Sequence, residues 1–85
     1  MHSERFQKSI RLTDHARIRM HERGVNENTL LDLVESGQIK RKDERHLWIF
    51  KHYPERHDNM LCVAAIEGQA LIILTIMNHW QEQTP

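Results

Sequence analysis

The sequence predicts an α+β domain in which two N-terminal helices pack on a three- to four-stranded antiparallel sheet. Three observations lead there. Capping residues and glycines bracket two helical segments between residues 13 and 37. After Gly37 the apolar pattern changes from a helical to an extended period. Two apolar runs near the C-terminus are separated by Gly68-Gln69, the spacing of a tight hairpin. The 85 residues make one compact domain, 1–85, with 1–10 and 81–85 expected to be loosely ordered. A chain this short buries only about 60–65 % of its unfolded surface, so the core has to come from a few strongly apolar segments.

The first helix has Thr13 or Asp14 as N-cap and ends at Gly24, which enters the left-handed conformation without steric cost. The second is capped by Asn26, with Glu27 at the positive end of the helix dipole and Val25 placed to staple onto Leu30. Leu30, Leu31, Leu33 and Val34 form its apolar face, and Gly37 ends it. Residues 38–42 are a weak strand, QIKRK, and 46–52 a stronger one, HLWIFKH. The segment from Tyr53-Pro54 to Asn59 is a loop. Strands 60–67 and 70–79 complete the sheet. On the last strand, alternation assigns Ile72, Leu74 and Ile76 to the helix side and Leu71, Ile73, Thr75, Met77 and His79 to the other.

Composition excludes several classes of function. Twelve basic and twelve acidic residues give a formal charge of zero, so no global field draws the chain onto nucleic acid. Residues 1–24 nevertheless carry a local balance of +3, and residues 61–85 have no lysine or arginine. Cys62 is the only cysteine, which excludes an internal disulfide. The N-terminus lacks the apolar stretch of a signal peptide, and the longest apolar run, Ala70 to Met77, is too short for a bilayer. A cytoplasmic protein with no membrane partner is expected. Seven histidines raise the question of a metal, but His15 and His21 diverge on their helix, and His46 and His52 lie roughly 20 Å apart on a strand. His52, His57 and Asp58 flank the Pro54 loop without a recognised ligand spacing, so neither metal nor cofactor is expected.

The segment TDHARIRMHERG carries the chemistry. On a helical projection with His15 at zero, Arg19 lies at about 40° and Arg23 at about 80°, beside the apolar positions Ala16 and Met20. These three side chains form a slanted ridge along the core margin. Arginines lying on that margin with their heads in water would give the same pattern. As a site, the ridge suits phosphodiester cleavage without a metal. Histidine takes or gives a proton near neutrality, and arginine grips phosphate through a planar fork of donors. Thr75 and His79, with His46 or Lys51, would complete it from the sheet, and Trp48 or Trp80 could stack on a base.

The motif T-D-H-A-R-I-R-M-H-E-R-G-V resembles the small bacterial proteins grouped as domain of unknown function 4258. Thr13, His15, Ala16, Arg19, Met20, Glu22, Arg23, Gly24 and Val25 match the family pattern, and a capped helix ending in S-G and a terminal I-L-T-I strand follow in order. Such domains are similar in plan to the α+β ribonuclease-like toxins of the RelE and barnase group. The motif carries over to His15, Arg19 and Arg23, and the leading expectation is a toxin-type endoribonuclease with these as catalytic candidates, joined from the sheet by Thr75 and His79. The implied partners are RNA or the ribosome, and a cognate antitoxin or immunity protein. A homodimer is a further expectation, through strand 70–79 if that strand lies at an edge. A non-catalytic interaction or regulatory module is the alternative.

Overall fold

The chain opens with a short hairpin. In the computed structural model, which describes residues 1–56 and 60–78, strand β1 (His2–Ser3) pairs antiparallel with β2 (Lys8–Leu12). Helix α1 (Asp14–Glu22) and helix α2 (Glu27–Ser36) follow, and then β3 (Gln38–Arg41), β4 (His46–His52), β5 (Met60–Glu67) and β6 (Leu71–Asn78). The strands form one sheet in the order β1-β2-β6-β5-β4-β3. All neighbours are antiparallel except β2 and β6, which run parallel with Ile10 opposite Leu71 and Leu12 opposite Ile73.

This overturns the expected three- to four-stranded antiparallel sheet, because the sheet is six-stranded and mixed. The extra strands come from the segment expected to be a loose tail. KSIRL offers only Ile10 and Leu12 as alternating apolar residues, a weak local signal. Its partner, β6, lies some sixty residues away, and no local pattern reports a parallel pairing at that separation. The C-terminal residues 81–85, also expected to be loose, lie outside the described residues.

Both helices cover one face of the sheet. α1 packs on β6 and β2, and α2 on β4 and β1. Between helices and sheet lie Ala16, Met20, Val25, Leu30, Leu33 and Val34 from above and Ile10, Leu47, Ile49, Leu61, Val63, Ala65, Leu71, Ile73 and Ile76 from below. The face assignment expected for β6 needs correction: Leu71 and Ile73, not Ile72 and Leu74, face the helices, while Ile76 does so as expected. A β-bulge is the reason. The register runs Ala65 to Ile73 and then Ala64 to Thr75, so Leu74 is the extra residue and the alternation changes phase there.

The helix ends follow their sequence signals. Thr13 Oγ1 accepts from Ala16 N at 3.0 Å, and Asn26 Oδ1 accepts from Thr29 N at 2.8 Å. Gly24, at φ +62°, closes α1: Gly24 N–H donates to His21 O and Val25 N–H to Met20 O, with Met20 and Val25 both buried. Gly37 ends α2 for a different reason. A Cβ there would lie 2.6 Å from Leu33 O, 2.8 Å from Ile49 Cγ2 and 2.9 Å from Phe50 O. Two of those atoms are backbone and cannot swing away. Gly37→Ala is therefore expected to lower stability by about 1–3 kcal/mol, read as a lower urea midpoint at unchanged slope.

α2 also anchors the N-terminus. Glu35 accepts from Ser3 Oγ at 3.0 Å, Glu4 N at 2.6 Å and Arg5 N at 3.0 Å, and Ser3 is fully buried. Arg5 Nη1 donates to Val34 O and Gly37 O, two carbonyls at the end of α2 that the helix itself leaves unpaired. This clamp holds β1 and β2 in the sheet.

Candidate functional site

α1 lies along the edge of β6 and completes it. β2 ends at Leu12, so the rest of that edge has no strand beside it. Thr13 N–H donates to Ile73 O at 3.1 Å, Thr13 Oγ1 to Leu74 O at 2.9 Å, and Arg23 Nε to Ile76 O at 2.9 Å. An edge carbonyl left dry and unpaired costs stability, and here motif side chains satisfy it. Thr13 thus has two tasks, as helix cap and as edge donor.

The motif residues now separate by what they do. Ala16, Met20 and Val25 fill the core, Gly24 makes the turn, and Thr13 and Arg23 tie the helix to β6. His15, Arg19 and Glu22 do none of this. They stand on the outer surface and bond one another: Arg19 Nε donates to His15 Nε2 at 3.4 Å, and Arg19 Nη1 pairs with Glu22 Oε1 at 2.9 Å. The Arg19 and Glu22 side chains are 37 % and 50 % exposed, so the pair adds little to stability. The contact at 3.4 Å is long. In it His15 Nε2 accepts from the guanidinium.

Of the ridge expected from the helical projection, the structure joins His15 and Arg19 and ties Arg23 to β6. Arg23 spends its Nε on Ile76 and its backbone oxygen on Arg56 Nη2, at 2.7 Å; Arg56 Nη1 also donates to Gly24 O. The Nε bond holds the Arg23 guanidinium against β6, and among the described residues its η nitrogens make no hydrogen bond. Thr75 sits between the two β6 residues that α1 holds, Leu74 and Ile76, and is half-buried on the helix-free side. The chain neighbours of Thr75 thus touch α1, while Thr75 itself lies on the face opposite the helices. His79 lies outside the described residues, as do His57, Asp58 and Trp80.

The other candidates from the sheet are elsewhere. Two strands, β5 and β6, separate β4 from α1. Lys51, on β4, donates to Asp32 at 2.8 Å and Ser36 at 2.9 Å on α2, while Tyr53 Oη donates to Asp32 at 2.5 Å. The Lys51 and Tyr53 bonds hold the Asp32 carboxyl below its ordinary pKa, and burial with the Asp32 hydrogen bond raises the Tyr53 phenol. His46 Nδ1 contacts Asp43 Oδ1 at 2.9 Å. The backbone N–H of His46, and then its ring, keep Asp43 well below the carboxylate range. Both groups are engaged in turn and helix contacts of their own.

Among the described residues, no three His, Cys, Asp or Glu side chains are placed to hold a metal, and no helix is long and apolar enough to cross a membrane. Cys62 is buried on β5, its thiol pushed up to about 12 by that burial, which leaves it unreactive. The strand expected to pair across a dimer, β6, lies inside the sheet between β2 and β5; the edges are β1 and β3.

The fold and site define a small α+β domain whose first helix carries an exposed His-Arg-Glu chain beside an Arg-tied strand edge. A family model described as "Domain of unknown function (DUF4258)" matches residues 12–78, and the chain belongs to that family. The match spans the residues from the end of β2 to the end of β6. No curated protein and no solved structure matches the chain.

Proposed function

We propose that this protein is a metal-independent endoribonuclease of the toxin type, similar in plan to the RelE and barnase group. The observation that carries the reading is the exposed chain His15–Arg19–Glu22, the motif residues that neither fill the core nor hold the edge. His15 Nε2 takes the proton of a ribose 2′-hydroxyl as its oxygen attacks the neighbouring phosphorus. Arg19 and the η nitrogens of Arg23 stabilise the charge that builds on the phosphorane oxygens. Glu22 holds Arg19 in place. Thr75 donates a hydrogen bond from the strand flank, and the 5′-oxygen leaves with a proton from an acid, the role given to His79. The products are a 2′,3′-cyclic phosphate and a 5′-hydroxyl. RNA or ribosome-bound RNA is the substrate, and a cognate antitoxin or immunity protein is the implied partner in the cytoplasm.

Induced expression in bacteria with mapping of RNA ends tests this. Growth arrest with new 5′-hydroxyl ends is the expected result; normal growth with soluble, abundant protein and unchanged RNA would refute it. Lysine substitutions separate the two arginines. Arg19→Lys removes the fork at an exposed position and is expected to cost activity while leaving the melting temperature within about a degree or two. Arg23→Lys is expected to lower both, because it also removes the Nε donor to Ile76. The alternative, a non-catalytic interaction module, draws support from β3, an edge strand paired on one side only. It predicts soluble protein, intact RNA and a bound partner.

A further inference from the structure

The face of the sheet opposite the helices has a composition that the neutral total charge conceals. Alternation along each strand, checked against the buried core, places four rows of side chains on it. The first runs Arg11–Ile72–Ile66–His46 across β2, β6, β5 and β4. The second runs Thr75–Ala64–Trp48–Lys40 across β6, β5, β4 and β3. The third runs Met77–Cys62–Phe50–Gln38, with Cys62 and Phe50 buried, and Met60–His52 begins the fourth. No position in these rows is acidic. The carboxylate of Glu67, the one acidic residue of β5, bonds Lys8 at 3.2 Å and Arg41 at 2.8 Å, with Leu61, Val63 and Ala65 in phase with it on the helix side.

One end of this face is hollowed. Ser9, Arg11, Arg45, Ile66, Gly68, Gln69, Ala70 and Ile72 line an open depression of ≈ 600 Å³. Arg45 enters it from the β3–β4 turn, its Nη2 lying 4.0 Å from the Cβ position of Gly68, which as glycine leaves the space open. Neither Arg11 nor Arg45 has a carboxylate partner among the described residues. Trp48 is half-buried in the next row, and its cross-strand neighbour Ala64 is too short to cover the indole.

We propose that this helix-free face is a binding platform for single-stranded RNA, with Trp48 stacking on a base and Arg11 and Arg45 gripping a backbone phosphate in the depression. The occupant follows from complementarity. Two guanidiniums without a carboxylate partner and a half-buried indole, with no acidic position among the described residues of the face, fit a strand that alternates anionic phosphates with flat bases. A second copy of this chain would bring like charges together. Thr75 lies in the row of Trp48 and between the β6 residues tied to α1. The proposal takes RNA as its ligand from the cleavage reading, but it is tested by binding alone.

Binding of a fluorescein-labelled oligouridylate of about ten nucleotides to the full chain would be followed by anisotropy over a range of salt, beside a duplex of equal length. Four proteins are compared: wild type, Arg11→Ala/Arg45→Ala, Trp48→Leu and Ile18→Ala, each checked for native circular dichroism. Trp48→Phe replaces Trp48→Leu should the latter not fold. Trp48→Leu is expected to weaken binding roughly 5- to 150-fold. The double arginine variant is expected to flatten the salt slope by about 0.7 for each phosphate that it no longer neutralises. Ile18→Ala, at an exposed position of α1 that belongs to neither site, should bind as wild type. No binding by the wild type at low salt, equal or tighter binding of the duplex, binding indifferent to these variants, or self-association through the face would each overturn the proposal. Weakened binding in Trp48→Leu with no RNA cleaved by any protein would sink only the cleavage reading. Cleavage by a wild type whose binding ignores Trp48, Arg11 and Arg45 would sink only the platform.

Discussion

His15→Ala is expected to lower the rate of RNA cleavage by about 10²–10⁴-fold, the usual contribution of a positioned acid or base. The fold should not notice. His15 is exposed, its one side-chain hydrogen bond among the described residues is the long one to Arg19, and alanine is the better helix former. A change in stability within about 0.5 kcal/mol is expected, as for a surface position. Measuring cleavage and thermal unfolding on the same preparations separates the two roles. A folded variant that neither cleaves RNA nor arrests growth marks a catalytic histidine. A variant that unfolds, or one that cleaves as the wild type does, removes His15 from the mechanism. The same pair of measurements on Thr13, whose hydroxyl caps α1 and tethers Leu74, should show the opposite behaviour, with stability falling first.

Glu35→Ala should be the most damaging polar substitution to stability, at about 2–3 kcal/mol. It removes a charged acceptor of three hydrogen bonds and leaves the fully buried Ser3 hydroxyl without it. β1 and β2 would lose their anchor on α2, so hydrogen exchange at residues 2–12 should accelerate before that of β4 and β5. Acid should produce part of the same effect. Burial raises the Glu35 pKa, but bonds from Glu4 N, Arg5 N and Ser3 outweigh it, so the group ends below its ordinary value of 4.5. Asp32 and Glu67 are lowered as well, chiefly by Lys51 and Arg41. A depressed carboxylate binds fewer protons folded than unfolded, so its stabilisation is present above its ordinary pKa and is lost as pH falls through the folded one. Chemical denaturation should show a constant gap between wild type and Glu35→Gln from pH 5 to neutrality, narrowing below about pH 4.5. A gap that stays constant into stronger acid would mean that Glu35 does not titrate as a clamped carboxylate.

Local rules reach as far as the groups that act through their chain neighbours. Thr13, Asn26, Gly24 and the Val25–Leu30 staple position lie in short signals that span a turn or less, so the two helices and the turn between them were legible residue by residue. The ridge of His15, Arg19 and Arg23 was legible too, because a helical period places side chains without reference to anything else. Its inner inequality was not. Whether Arg23 faces a ligand or a strand carbonyl depends on Ile76, fifty-three residues further along.

The sequence by itself determined the class of the domain, the two helices with their caps, strands β3 to β6 and the segment that bears the candidate chemistry. Only the tertiary structure decided the rest. It built the sheet to six strands by setting β2 parallel to β6, and a single bulged residue, Leu74, exchanged the faces that alternation had assigned to the start of β6. It turned Thr13 and Arg23 into edge donors and brought Arg11 and Arg45, 34 residues apart, to one depression. The physical reason is common to all of these. A cap or a helical face is fixed by atoms a few residues apart, whereas an edge carbonyl, a parallel register or a shared depression acquires its partner only after distant segments have packed.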